Sequence, residues 1–197
     1  MILPIYVYGS GVLRERAAEI DVNNTEGLKE LIDNMYVTMK ESDGVGIAAP
    51  QVGKSIRLLI VDGADLVEDM PELEGFKRVM INPVATWESE ETAEYSEGCL
   101  SVPNIHADVV RPKSMKVKYL NENFEEKEEL FEGFACRMVQ HEMDHLDGHL
   151  FIDRGDEDFA KKTEEQFARR AENAEKKRRA KAAKEAKIAA KKAAKNK

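Results

Sequence analysis

The chain has 197 residues, of which 42% are hydrophobic and 35% charged, with a formal net charge of −8. That is enough for one domain of ordinary size plus an appendage, and no uninterrupted apolar run approaches the length needed to cross a membrane. The only cysteines, Cys99 and Cys136, imply no disulfide framework. Met1 to Val12 lacks a basic leader and is broken by Pro4 and Gly9, so it does not read as a signal peptide. A soluble cytoplasmic protein is expected. The charge is unevenly spread: residues 161–197 carry 15 basic and 5 acidic residues, and residues 1–160 carry 15 basic and 33 acidic. A body over 1–160 and a basic extension over 161–197 are therefore expected, the extension with a partner of its own.

In chain order, Asn24 or Thr25 can cap a first helix whose Leu28, Leu31, Ile32, Met35 and Met39 share an apolar face. It should stop before Asp43-Gly44. Gly44 to Gly53 holds three glycines and a proline and reads as a constrained loop. Ile56 to Asp62 is an apolar strand of the buried kind. Gly63 to Gly75 is an acidic loop, and Arg78–Pro83 and Val84–Glu88 read as strands joined at the proline. Gly98 to Pro103 is short and apolar between polar flanks. Met115, Val117 and Tyr119 alternate with Lys116 and Lys118 in a half-exposed strand over Ser114–Leu120. Asn121 to Asn123 is its turn and Glu128–Phe131 its partner. A second helix runs from Gly133 to Asp147 and stops at Gly148. The Lys/Ala-rich tail reads as either a solvated single helix or disorder.

The second helix carries His141-Glu142-Met143-Asp144-His145, an H-E-x-x-H motif. Residues four apart face the same way, so both imidazoles can reach one metal ion while Glu142 stands beside it. Phe134, Met138, His141 and His145 share that face, so Phe134 and Met138 are core residues that can also wall an apolar pocket. A catalytic site of this type takes three protein ligands and leaves one position open. Cys99, Cys136, His106, His149 or a carboxylate can supply the third. Cys136 lies five residues before His141, roughly 140° away around the helix, and points elsewhere. Cys99, beside Gly98, is the favoured candidate.

Three segments resemble the motifs of the peptide deformylase family. Gly44-Val45-Gly46-Ile47-Ala48-Ala49-Pro50-Gln51 resembles the first, G-x-G-x-A-A-x-Q. Glu97-Gly98-Cys99-Leu100-Ser101 matches the second, and Gln140-His141-Glu142-Met143-Asp144-His145-Leu146-Asp147-Gly148 the third. The likeness covers about residues 1 to 155, and Val102-Pro103 looks more like the Gram-negative-type branch. The resemblance implies an α+β fold: short, mostly antiparallel strands around a central helix bearing the H-E-x-x-H, with the basic tail, helical or disordered, as a departure. It implies hydrolysis of the formyl group from the N-terminal formyl-methionine of nascent chains. It assigns Cys99, His141 and His145 to the metal, Glu142 to proton transfer, and Gln51 with the Leu100 N–H to the oxyanion. Val45, Gly46 and Gly98 border the peptide, and Phe134 and Met138 the methionine pocket. The family metal is Fe²⁺, with Zn²⁺, Ni²⁺ or Co²⁺ able to substitute. Glu97 buttresses its loop. For the tail, the resemblance makes ribosomal RNA a partner to set beside a plain solubilising role. Two rival readings stand: a zinc endopeptidase, which takes its third ligand downstream of the helix, and a module with a structural, four-ligand zinc.

Overall fold

The computed structural model describes residues 1–155, 158–170, 172–173 and 176–177. The chain divides into two compact units, Met1–Gly155 and Asp156–Lys197. In the second, 158–170 are helical; most of the basic tail lies outside the described residues, and with it the choice between helix and disorder there.

The first unit is built on a five-stranded sheet of β1 (Gly46–Ala48), β2 (Leu58–Asp62), β3 (Lys77–Glu88), β6 (Ser114–Leu120) and β7 (Glu126–Glu132), in the order β1-β2-β3-β6-β7. β4 (Thr92–Cys99) and β5 (Val102–Pro112) form a separate hairpin. Every strand pairing is antiparallel. Helix α1 (Leu28–Glu41) and helix α2 (Gly133–Leu146) take opposite faces of the sheet. β2 explains how. All five of its residues are buried; Leu59 and Val61 join the core with Cys136, Met138, Val139 and Leu146 of α2, whereas Leu58 and Ile60 join Leu28, Met35 and Met39 of α1. A strand covered on both faces needs no polar alternation, which is why this one reads as a continuous apolar run. The α+β architecture with antiparallel strands is as expected, and α2, which carries the histidines, packs against β1, β2, β6 and β7. No described helix is long and apolar enough to cross a membrane.

Several local expectations are corrected. α1 begins at Leu28 with Gly27 as its cap: Thr25 spends its carbonyl on a turn to the Leu28 N–H, and Asn23 and Asn24 are tied to Asp21. The constrained loop of Gly44 to Gly53 contains β1 followed by a 3₁₀ turn over Ala49–Val52. Three residues are too few for a periodicity to show; pairing with β2 decides their state. The two strands expected around Pro83 are one element, β3, with a register shift between Ile81 and Val84. Asn82 adopts φ +52° there, and its side chain accepts the Ile20 N–H at 2.8 Å and donates to the Ile20 carbonyl at 2.9 Å. A bulge tolerates the missing proline donor. The hairpin β4–β5 is far longer than the short segment expected at Gly98–Pro103. Its exposed face is dense in polar residues, so no apolar run announces it.

Candidate metal centre and catalytic cleft

α2 sets the histidines. Its buried face fixes the helix against the sheet, and His141 and His145 then project on one side with ring centroids 5.2 Å apart. The β4–β5 hairpin brings in Cys99, whose Sγ lies 3.3 Å from His145 Nε2. One donor atom from each of Cys99, His141 and His145 falls within 4.8 Å of the others. Cys136 is buried, with Sγ directed at the Pro112 carbonyl. His106 and His149 are exposed and outside the group. Among the described residues no fourth ligand joins the three, so the set is open, unlike a closed structural zinc site. Two imidazoles and a thiol are a donor set suited to a divalent first-row ion. Burial pushes the Cys99 thiol up, but the two histidines outweigh it and hold the group well below its usual range, in the thiolate form that binds metal.

His141 Nδ1 lies 2.9 Å from Glu97 Oε2. Burial works against the Glu97 charge, but its bonds to Arg111 and His141 keep the carboxyl well below the ordinary range. Glu97 therefore accepts only, so Nδ1 carries a proton and Nε2 is the nitrogen left for the ligand group.

Glu142 lies on the same helix, 5% exposed, and among the described residues its Oε2 has no hydrogen-bond partner. Burial pushes its carboxyl up to about 7, against the opposing charges of His141 and His145. β1 passes directly over it: a Cβ on Gly46 would overlap the Glu142 carboxylate, so only glycine allows this approach.

Gln51 sits in the 3₁₀ turn after β1. The Ala48 N–H donates to its Oε1 at 2.7 Å, which leaves Nε2 to donate to Ser101 Oγ at 3.2 Å and to face Cys99 Sγ at 3.6 Å. The loops of Gln51 and Ser101 are themselves tied to the N-terminal segment. The Tyr6 N–H donates to the Gln51 carbonyl at 2.8 Å and the Tyr8 N–H to the Ser101 carbonyl at 2.7 Å.

A cleft of about 370 Å³ opens beside Cys99, walled by Val45, Gly46, Gly98, Leu100, Pro103 and His106 among others. Gly98 faces the His106 ring closely enough that a Cβ would lie 2.7 Å from its Nε2. Phe134 and Met138 are not among the walls. Met138 is buried in the α2 core, with Val45 and Phe134 packed against the same cluster, and Phe134 meets Tyr95 edge-on at 5.6 Å. A larger cleft of about 610 Å³ beside α1, lined by Leu28, Ile32, Tyr36, Ile60 and Val79, contains none of the candidate residues.

Sequence reasoning did not find the charged cluster behind the histidines. Arg111 of β5 donates through Nε and Nη2 to both Glu97 oxygens and through Nη1 to Asp144, which also receives Arg154. Arg137 of α2 donates to Glu97 Oε1. These residues lie far apart in the chain, and no spacing rule connects them; the one signal in the sequence is an Arg set among the apolar Val109, Val110 and Pro112.

Comparison with known proteins agrees with this geometry. The family model described as Polypeptide deformylase matches residues 2–161. A peptide deformylase of Salinibacter ruber is 47% identical over 157 residues, covering 78% of this chain and 80% of that protein. One from Fusobacterium nucleatum is 44% identical over 155 residues, covering 78% and 84%. Among solved structures, a Met-Ala-Ser bound class I type b peptide deformylase from Acinetobacter baumannii superposes with a TM-score of 0.72 at 41% identity, covering 79% of this chain and 99% of that one. An actinonin complex of the Synechococcus elongatus enzyme gives 0.72 at 34% identity, covering 83% and 85%. A match of this extent, on a chain whose Cys-His-His group opens beside a buried glutamate, places the protein in the polypeptide deformylase family, metalloenzymes that remove the N-terminal formyl group from new polypeptides.

Proposed function

We propose that Cys99, His141 and His145 hold one divalent ion, Fe²⁺ in the working enzyme with Zn²⁺, Ni²⁺ or Co²⁺ able to replace it, and that the substrate is the formyl-methionine end of a nascent chain. The observation that carries this reading is the convergence of the three donors beside a buried glutamate oxygen that has no hydrogen-bond partner among the described residues. Bound there, the ion supplies Lewis acidity and lowers the pKa of a coordinated water.

The rest falls to the chain's own side chains. Glu142 takes a proton from the attacking water and delivers it to the leaving nitrogen. The water oxygen bonds to the formyl carbon, the C–N bond breaks, and formate and a free amine result. Gln51 Nε2, aimed by the Ala48 N–H on its oxygen, and the Leu100 N–H donate to the developing oxyanion. Val45, Gly46 and Gly98, which wall the cleft, border the peptide, and Phe134 and Met138, in the apolar cluster that Val45 also packs against, back the methionine pocket from the core rather than line it. The Acinetobacter baumannii structure is Met-Ala-Ser bound, and a methionine-first tripeptide is what such a reaction leaves. The reaction belongs in the cytoplasm, where nascent chains emerge. The net +10 of residues 161–197 supports an arm that binds ribosomal RNA through phosphate contacts.

Formate release from a formyl-Met tripeptide by anaerobically purified protein tests the activity; no release from metal-loaded protein refutes it. Loaded with Co²⁺, the protein should show a thiolate-to-metal absorption band that disappears in Cys99→Ser and persists in Cys136→Ser. The opposite pattern refutes the ligand assignment.

A further inference from the structure

Glu97 receives four donors on two oxygens. Arg111 Nε and Arg137 Nη1 reach Oε1 at 2.7 and 2.6 Å, and Arg111 Nη2 and His141 Nδ1 reach Oε2 at 2.8 and 2.9 Å. That occupies the roughly four acceptor sites a carboxylate has. Arg137 and His141 stand four residues apart, so they leave α2 from the same face and grip opposite oxygens of one carboxylate. Arg137 is 3% exposed. It also donates to the Val109 carbonyl at 2.8 Å and the Ala93 carbonyl at 2.6 Å, and its guanidinium lies 4.9 Å from the Tyr95 ring centre. Its guanidinium is thus held on three sides, and Glu97 cannot rotate away from His141 without parting from it. The other imidazole has no such support: His145 Nδ1 is buried with no partner among the described residues.

We propose that Arg137 is a positioning residue for the metal centre. By clamping Oε1 of Glu97 it holds Oε2 on His141 Nδ1, keeps the imidazole in one tautomer and orientation, and so sets how slowly the ion is released. Glu97 is the partner one step beyond the ligand, the kind whose loss costs about 10- to 100-fold in metal affinity, and Arg137 acts through it. This rests on the reading of Cys99, His141 and His145 as ligands. The bland alternative is that Arg137 only stitches the β4–β5 hairpin to α2 through Ala93 and Val109.

The two differ in how Arg137 couples to Glu97. The measurement is the rate at which Co²⁺-loaded protein loses its ion to excess chelator, followed by the visible spectrum, for Arg137→Met, Glu97→Gln and the double variant. Arg137→Met should lose Co²⁺ about 10-fold faster than the unaltered protein, the low end of the range for the carboxylate it acts through. In the Glu97→Gln background the same change should add less than about threefold, because the carboxylate it acts through is gone. If the two effects multiply in the double variant, or if Arg137→Met holds Co²⁺ as long as the unaltered protein, the positioning role is overturned. If Arg137→Met does not fold, Arg137→Leu in the same cycle decides by the same criteria. Failure of the unaltered protein to retain Co²⁺ at all refutes the ligand assignment itself, and the proposal with it.

Discussion

Glu142 is held by shape rather than by hydrogen bonds. β1 lies against one side of its carboxylate at Gly46, and its Oε2 is buried with no hydrogen-bond partner among the described residues. A buried polar atom left in this state costs stability of about 1–3 kcal/mol, and a site that tolerates it invites a ligand. Glu142→Gln keeps the volume and removes the proton-accepting charge. The variant should retain Co²⁺ and its melting temperature while formate release falls by about 10²–10⁴-fold, the usual range for a general acid–base group. Near-normal turnover in the metal-loaded variant refutes the role. The three motif segments made Glu142, Gln51 and Cys99 legible in the sequence. Arg111, Arg137 and Asp144 stayed hidden, because buried charges are recognised by their partners, and those partners come from β4, β5 and α2.

Elements were legible where a single periodicity ran long enough. α2 and β6 follow their apolar spacing, β2 is a continuous apolar run, and the turn at Asn121–Asn123 is stabilised by the Asn121 side chain, which accepts the N–H groups of Asn123 and Glu125. β1 is too short to carry a pattern, and the bulge in β3 is written only in the pair Asn82-Pro83. That bulge offers a test. Asn82 combines φ +52° with two hydrogen bonds to Ile20. Asn82→Ala loses both bonds and keeps an unfavourable backbone, so it should destabilise by about 2 kcal/mol, read from denaturant midpoints. Asn82→Gly restores the backbone freedom and should recover part of that loss. Equal stability of all three proteins would remove the bulge from any structural role. At the far end of α2, Arg57 of the loop before β2 donates to the Leu146 carbonyl at 3.3 Å and to Asp147 at 2.8 Å. This places a cation at the negative end of the helix dipole. The first residue of β2 is its neighbour, so helix and sheet are locked at the end nearest His145.

At the level of the molecule, the acidic body and basic extension predict separable behaviour. Truncation after Ala160 should leave turnover of a formyl tripeptide nearly intact. It should weaken co-sedimentation with ribosomes, and the association of the full chain should fall steeply as salt rises. Equal ribosome binding by both proteins at every salt concentration would leave the tail as a solvated appendage. The N-terminal segment matters in the opposite sense, since it ties down both the Gln51 and the Ser101 loops through the Tyr6 and Tyr8 amides. A protease that nicks the chain at Gly9 spares every candidate ligand and the glutamate, yet it frees a splint that spans two loops. Such clipped protein should keep its Co²⁺ spectrum and lose turnover once the peptide dissociates. A synthetic peptide of residues 1–9, added back in excess, should then restore formate release, making the severed segment a diffusible activator of its own enzyme.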